Sequence, residues 1–202
     1  MLRKYIPQGN TLKMERRFSK LMEYSIVCAG FGGQGVLTTG MLLASTAYRN
    51  GKKTTWYPSY GAEMRGGTAN CTVKIADAII GSPTASALDF AITMNEPAID
   101  KFEQSIKPGG YLFVNSSIVA ENRSYREDIQ VVKVPASDLA SEVNNEKGAN
   151  LAMLGAVVRV TEIFSAEVME NGIVCYFEEK GKGKYNQKNL DAFRAGYNCN
   201  SQ

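Results

Sequence analysis

The sequence of 202 residues contains no histidine. This absence excludes Ser-His-Asp triads, histidine general bases and histidine metal ligands. The four cysteines, Cys28, Cys71, Cys175 and Cys199, are widely separated and form no C-x-x-C pair. Because iron–sulfur and zinc sites usually draw several ligands from one short run, we expect no metal site within this chain. Cys28 is interpreted as a small buried hydrophobic residue.

Long apolar runs and a strong charge imbalance are also missing. No stretch approaches the ~20 apolar residues of a membrane-spanning helix, and the N-terminus lacks the apolar segment of a signal peptide. The net charge of +3, from 23 basic and 20 acidic residues, does not indicate a nucleic-acid-binding surface. We expect a cytoplasmic protein that binds neither membrane nor nucleic acid. The predicted organisation is a basic extension over 1–23 and a single α/β domain over 24–202.

The most informative stretch is a strand, a glycine-rich turn and a helix. Tyr24–Ala29 predicts a short buried strand. Val36–Tyr48 predicts a helix, because its apolar residues recur three or four positions apart. The residues that join the two elements are Gly30, Phe31, Gly32, Gly33, Gln34 and Gly35. Backbone N–H groups at such a turn can point at an anion or a polar partner.

The spacing of these glycines has two interpretations. Gly30, Gly32 and Gly35 fit the G-x-G-x-x-G pattern of dinucleotide-binding turns, which also need an acidic residue about 20 positions later to hold the ribose. The second predicted strand, Lys53–Tyr57, provides no such residue, and the next acid is Glu63, beyond the strand end. The missing acid favours the alternative that the glycines only shape a tight turn.

The rest of the chain alternates predicted strands with predicted helices. We predict strands over 68–75, 89–94, 111–114 and 129–134, with a further short strand over 78–80. We predict helices over 95–106, 137–143, 150–164 and 186–197; residues 108–110 would end the first of these and Ser137-Asp138 would cap the second. Gly155 is expected to permit close packing and Gly196 to end the last helix. The pattern predicts an α/β three-layer sandwich, Rossmann-like, with a largely parallel or mixed sheet and helices on both faces.

Polar residues follow several of the predicted strands. Besides the glycine turn, the candidate binding residues are Tyr60, Glu63, Arg65, Gly66, Gly67, Asn95 and Asn115. Because such sheets bind ligands at the carboxyl ends of their strands, we expect these residues to converge on one surface. The structural alternatives are that Asn95 only caps a helix and Asn115 only forms a strand-end turn. No catalytic residue is identified.

Several ordered motifs resemble the gamma subunit of 2-oxoacid:ferredoxin oxidoreductases, and most closely that of the 2-oxoglutarate enzymes. The resemblance extends from about Tyr24 to Tyr197. The motifs are GFGGQGV at 30–36, PSYGAEMRGGTANC at 58–71, GSP at 81–83, PGG at 108–110 with NSS at 115–117, NLAMLGA at 150–156 and AFRAGY at 192–197. In related chains the position of Ala62 is often proline, so this sequence departs slightly from the pattern.

The resemblance implies an enzyme that uses thiamine diphosphate to decarboxylate a 2-oxoacid, joins the acyl group to coenzyme A and reduces ferredoxin. In that family the alpha and beta subunits hold thiamine diphosphate, and the beta and delta subunits carry iron–sulfur clusters. The gamma subunit packs on them and helps to form the coenzyme A side of the site. The expected partners are therefore alpha, beta and delta subunits in a heterotetramer, and this chain would hold no cofactor alone.

The resemblance also suggests roles for particular residues. The glycine turn would present N–H groups to a phosphate or to the pantetheine of coenzyme A. Arg65 would pair with a phosphate or with a carboxylate of a partner subunit; an ion pair with Glu63 inside the same loop is an equal alternative.

Two other functions stay open at this point. One is a free-standing Rossmann-like nucleotide-binding protein or NAD(P)-dependent dehydrogenase, and the other is a scaffold subunit that contacts no ligand. An isolated chain could homodimerise, because removal of its partners exposes apolar surface. The preference for 2-oxoglutarate over pyruvate or branched-chain 2-oxoacids rests on the resemblance alone.

Overall fold

The computed structural model describes residues 22–60 and 68–199. Within these ranges the strands are β1 (Glu23–Phe31), β2 (Lys53–Tyr60), β3 (Thr68–Ala76), β4 (Leu88–Thr93), β5 (Ile106–Asn115) and β6 (Gln130–Val134). The α-helices are α1 (Val36–Arg49), α2 (Glu96–Phe102), α3 (Ala136–Glu142), α4 (Ala149–Thr161), α5 (Ala166–Glu179) and α6 (Asn186–Asn198). None of these helices is both long enough and apolar enough to cross a membrane.

The six strands form one mixed sheet in the order β2-β3-β1-β4-β5-β6. Neighbours among β1, β4, β5 and β6 pair in parallel. β3 runs antiparallel to both β1 and β2, so β2 has the same direction as β1. The carboxyl ends of five strands and the start of β3 therefore lie along one edge of the sheet, which we call the carboxyl edge.

Alternating side chains of the strands enter two separate cores. On one face, Ile26 and Cys28 of β1 belong to a large core that includes residues of α1, α3, α4, α5 and α6. On the other face, Val27 belongs to a smaller core with Ile99 of α2 and with residues of the segment that follows β5. The structure thus confirms the predicted three-layer α/β fold, with most of its helices on one face.

The α4 helix is buried on most of its surface, as its apolar composition predicts. It packs backbone to backbone against α6. A Cβ added to Gly155 would overlap the backbone of α6, and a Cβ added to Gly196 would overlap the carbonyl group of Ala152. The prediction of close packing at Gly155 is confirmed. The prediction that Gly196 ends α6 is wrong, because the helix continues to Asn198.

The predicted helix over 95–106 is too long. The α2 helix ends at Phe102, a single 3₁₀ turn follows, and β5 begins at Ile106. Residues 108–110 therefore lie inside β5 instead of ending a helix. The strand accommodates Gly109 in a left-handed conformation (φ 76°), and the β4–β5 pairing shifts register nearby, between Leu88 and Phe90. A bulge at an exposed strand end tolerates residues that usually break regular structure.

Two other local predictions also differ from the structure, and one helix was not predicted. Residues 78–80 form no strand, and α5, which Ser165 caps by accepting a hydrogen bond from the Val168 N–H, was not predicted. The α3 helix follows Pro135 without a side-chain cap among the described residues. Ser137 instead bonds to Asn115, the last residue of β5, and Asp138 bonds to Ser117 just beyond it, so they connect this helix to the sheet.

Candidate functional site

The glycine turn, residues 30–35, is fastened to the end of β4 by the side chain of Gln34. Its Oε1 accepts a hydrogen bond from the Phe31 N–H at 2.6 Å and another from Asn95 Nδ2 at 3.1 Å. Its Nε2 donates to the Met94 carbonyl at 3.0 Å. The Gln34 amide therefore joins β1, the turn and the start of α2.

Two of the glycines are required by this arrangement. A Cβ on Gly30 would lie 2.7 Å from Gln34 Oε1 and 2.9 Å from Met94 Cβ. Gly35 has a left-handed backbone (φ 73°), and a Cβ there would lie 2.6 Å from Asn150 Cγ. Residues 31–33, which include Phe31, Gly32 and Gly33, form the exposed tip of the turn. The glycines thus shape the turn, and they also leave its tip open to solvent.

The two asparagines at strand ends have internal partners. Asn95 Oδ1 accepts a hydrogen bond from the Ala98 N–H at 2.9 Å and caps α2. Asn115 is buried, and its Nδ2 donates to Ser137 Oγ at 2.9 Å. Asn95 contacts the glycine turn through Gln34, whereas Asn115 lies further along the carboxyl edge, opposite Val134 of β6. These contacts give both residues a structural role, whereas the buried Asn115 Oδ1 has no hydrogen-bond partner among the described residues.

The end of β2 lies at the same edge. Tyr60 is opposite Ala69 of β3, and the other register partner of Ala69 is Gly30 of β1. The backbone of Tyr60 is therefore two strands away from the turn. Four other candidates, Glu63, Arg65, Gly66 and Gly67, lie outside the described residues.

The start of α1 has the character of an anion site. Its N-cap position is Gly35, and no side chain in the described part of the protein bonds to its first N–H groups. The first turn also contains no acidic residue. The partial positive charge of such a helix end favours an anion.

A cavity of about 880 Å³ opens beside this helix start. Gly33, Gly35 and Thr38 contribute to one side of it. The charged residues of its lining are Lys147, Lys182, Lys188 and Glu146. Three lysines against one glutamate make the lining basic, so its field adds to that of the helix.

Comparison with known proteins identifies the family. The family described as pyruvate ferredoxin/flavodoxin oxidoreductase matches residues 25–199. This chain belongs to that family. Its resemblance to the gamma subunits is confirmed by a crystal structure of the keto/oxoacid ferredoxin oxidoreductase gamma subunit from Geobacter sulfurreducens PCA. The two chains are 30% identical with a TM-score of 0.72, and the match covers 86% of this chain and 96% of that one.

Two relatives of this family member have names that refer to different substrates. The 2-oxoglutarate synthase subunit KorC of Methanocaldococcus jannaschii is 36% identical over 179 residues, which is 87% of this chain and 93% of KorC. The ketoisovalerate oxidoreductase subunit VorA of Methanothermobacter marburgensis is also 36% identical, over 174 residues. That match covers 86% of this chain but only 36% of VorA, so the chain spans about a third of that relative.

In this family member the structure adds site residues that the sequence did not single out. Asn189 is 7% exposed, and its Nδ2 is buried without a hydrogen-bond partner among the described residues. It lines the cavity together with the three lysines. Lys182 belongs to a short run of alternating lysine and glycine over 180–184, which matches none of the motifs named above. Within the described ranges, no group of three or more His, Cys, Asp or Glu side chains is placed to hold a metal ion.

Proposed function

We propose that this chain is the gamma subunit of an enzyme that oxidatively decarboxylates 2-oxoglutarate to succinyl-CoA and passes the electrons to ferredoxin. The observation that carries this proposal is the match to KorC, which extends over nearly the whole length of both chains. The VorA match has the same identity but involves a much longer relative. Oxidation of ketoisovalerate is therefore the second candidate activity.

The basic cavity supports contact with coenzyme A, a substrate of the proposed reaction. Its phosphate groups would pair with Lys182 and Lys188 and with the N–H groups at the start of α1. Thr38 and Asn189 would add neutral hydrogen-bond donors. The volume of about 880 Å³ lies in the range of about 300–1,000 Å³ that is typical of small-molecule sites.

Under this proposal each subunit has a different function. Alpha and beta subunits hold thiamine diphosphate, which supplies the decarboxylation chemistry, and beta and delta subunits carry the iron–sulfur clusters. This chain binds and orients one end of coenzyme A at the carboxyl edge of its sheet. Such positioning lowers the entropic cost of bringing the thiol to the acyl group.

An affinity tag on this chain tests the proposal in its native cells. The complex is purified anaerobically, its subunit composition is determined, and viologen reduction is measured with 2-oxoglutarate, ketoisovalerate and pyruvate. We expect copurified alpha, beta and delta subunits and coenzyme A-dependent activity with the highest kcat/KM for 2-oxoglutarate. A preference for ketoisovalerate would replace the first candidate with the second. A lone chain that binds NAD would contradict both and favour a Rossmann-like dehydrogenase.

A further inference from the structure

Two buried cysteines face each other below the glycine turn. Cys28 of β1 and Cys71 of β3 are register partners in an antiparallel strand pair. Both are free thiols with no solvent exposure. Cα atoms of such partners are about 4.5–5.5 Å apart, within the range of about 4.4–6.8 Å that disulfides span. Because directly opposed side chains point to the same face of the sheet, the backbone holds the two sulfur atoms as neighbours.

The environments of the two thiols differ. Hydrogen bonding from the Cys28 thiol lowers the pKa of Cys71 in spite of its burial. The hydrogen bond to Cys71 and complete burial raise the pKa of Cys28. Cys71 is therefore the more readily ionised of the two thiols. An attacking thiol and a resolving thiol differ in this way.

The pair is also in contact with the elements that form the turn. A Cβ added to Gly40 of α1 would overlap Cys71 Sγ, so this helix rests directly on the sulfur atom. The Cys71 thiol donates to the carbonyl group of Val36, the first residue of α1, at 3.6 Å. Cys28 precedes Gly30 by two positions in β1. A change in the position of either sulfur atom would therefore displace the glycine turn or the start of α1.

We propose that Cys28 and Cys71 are a thiol-oxidation site that forms a reversible cross-strand disulfide with a small hydroperoxide such as hydrogen peroxide. The Cys71 thiolate attacks one peroxide oxygen, the O–O bond breaks, and the other oxygen leaves as water after taking a proton. The Cys28 sulfur then attacks the sulfenic sulfur of Cys71, the S–O bond breaks, and a second water leaves with the Cys28 proton. Two thiols are oxidised to one disulfide, and one peroxide is reduced to two waters.

A peptide map of the purified full chain tests this site. The reduced chain is titrated with hydrogen peroxide, treated with catalase, denatured in the presence of iodoacetamide, digested and analysed by mass spectrometry. Cys175 and Cys199, which are partly exposed free thiols, serve as internal controls. We expect a peptide that links Cys28 to Cys71 as the main product of the first peroxide equivalent. Dithiothreitol should remove it, and Cys28→Ala and Cys71→Ala should each abolish it.

Three results would overturn the proposal. The first is recovery of alkylated Cys28 and Cys71 after Cys175 and Cys199 have been oxidised. The second is linkage of Cys28 or Cys71 to the other cysteines as often as to each other, because this would indicate oxidation of unfolded chains. The third is stepwise oxidation of Cys71 to a sulfinic acid without any linked peptide. The wild-type map decides among these results even if a variant fails to fold.

Discussion

Gln34 and Asn95 are hydrogen-bonded, with Asn95 Nδ2 3.1 Å from Gln34 Oε1. This bond joins residues 61 positions apart in the sequence and connects the glycine turn to the cap of α2. Each side chain also bonds to backbone, Gln34 at Phe31 and Met94 and Asn95 at Ala98. The turn is therefore held in place by internal bonds.

Replacement of Gln34 by alanine should destabilise the chain. The substitution removes three hydrogen bonds, each worth about 0.5–1.5 kcal/mol, so the free energy of unfolding should fall by about 2 kcal/mol. Urea denaturation followed by circular dichroism measures it. The matched control is Gln187→Ala, which removes an exposed bond to Asp191 within one helix and should change stability by less than about 0.5 kcal/mol. Equal effects of the two substitutions would contradict the structural role of Gln34.

Gly196→Ala should be among the most damaging single changes. The added methyl group would overlap the carbonyl group of Ala152, so α4 and α6 must separate, at a cost of about 3 kcal/mol or more. Differential scanning calorimetry should show a large fall in Tm or no folded chain. Gly81→Ala is the control, because a Cβ at Gly81 would meet nothing within 4 Å. A Gly196→Ala chain with an unchanged Tm would show that the two helices are not in backbone contact.

Apolar periodicity and glycine spacing predict secondary structure well where local sequence, and not tertiary packing, determines the conformation. The β1 strand, the turn and α1 follow from apolar periodicity and glycine spacing. The α5 helix was missed although it contains good helix formers, and it includes Asn171-Gly172, a pair typical of turns. A glycine is needed at position 172, because a Cβ there would overlap Thr46 of α1. That reason lies in tertiary packing, which the sequence of α5 does not show.

The sequence predicted only the part of the candidate site that the glycine turn forms. Gly33 and Gly35 belong to a recognisable motif, whereas Lys147, Lys182 and Lys188 come from three separate places late in the chain. They share a cavity because α4 packs against both α1 and α6. No spacing rule connects such residues, so only the folded structure groups them.

The ion pair of Glu170 with Arg194 should give the chain a pH-dependent stability. Arg194 donates two hydrogen bonds to Glu170, at 2.8 and 2.7 Å, and this bonding lowers the pKa of Glu170 below 4.5. A lowered pKa stabilises the folded chain at pH values above the ordinary glutamate pKa, and the stabilisation is lost as the pH falls through the folded-state value. Because the pair is partly exposed, we expect Arg194→Ala to cost less than about 1 kcal/mol at pH 7.

The free energies of unfolding of wild type and Arg194→Ala are compared over a range of pH. The difference in the free energy of unfolding between wild type and Arg194→Ala should shrink as the pH falls below 4.5. Glu170→Ala should abolish the effect of the arginine substitution at pH 7. A difference that stays constant with pH would mean that Arg194 acts through packing.

Asn189→Leu should stabilise the chain and weaken the binding of coenzyme A. The change removes a buried, unpaired amide donor at nearly constant volume, so the free energy of unfolding should rise by about 1 kcal/mol. The same change removes a donor from the cavity, so the KM of the assembled enzyme for coenzyme A should rise severalfold. Asn186→Leu is the control, because Asn186 is also on α6 and has a buried unpaired oxygen but does not line the cavity. An unchanged KM for coenzyme A, whatever the change in stability, would remove Asn189 from the site.

The most direct test of coenzyme A binding by this chain is a charge reversal in the cavity. The purified enzyme complex is prepared with Lys182→Glu/Lys188→Glu and, as a control, with Lys180→Glu/Lys184→Glu. The control lysines lie in the same region, but they stack on Tyr176 and Tyr185 and do not line the cavity.

The measurement is the KM for coenzyme A at low and high salt, with the 2-oxoacid saturating. The cavity variant should raise this KM at least about tenfold, because two attractive charges become repulsive, and added salt should reduce the difference. The KM for the 2-oxoacid and the subunit composition should be unchanged, and the control should resemble wild type. An assembled cavity variant with the wild-type KM for coenzyme A would contradict the account.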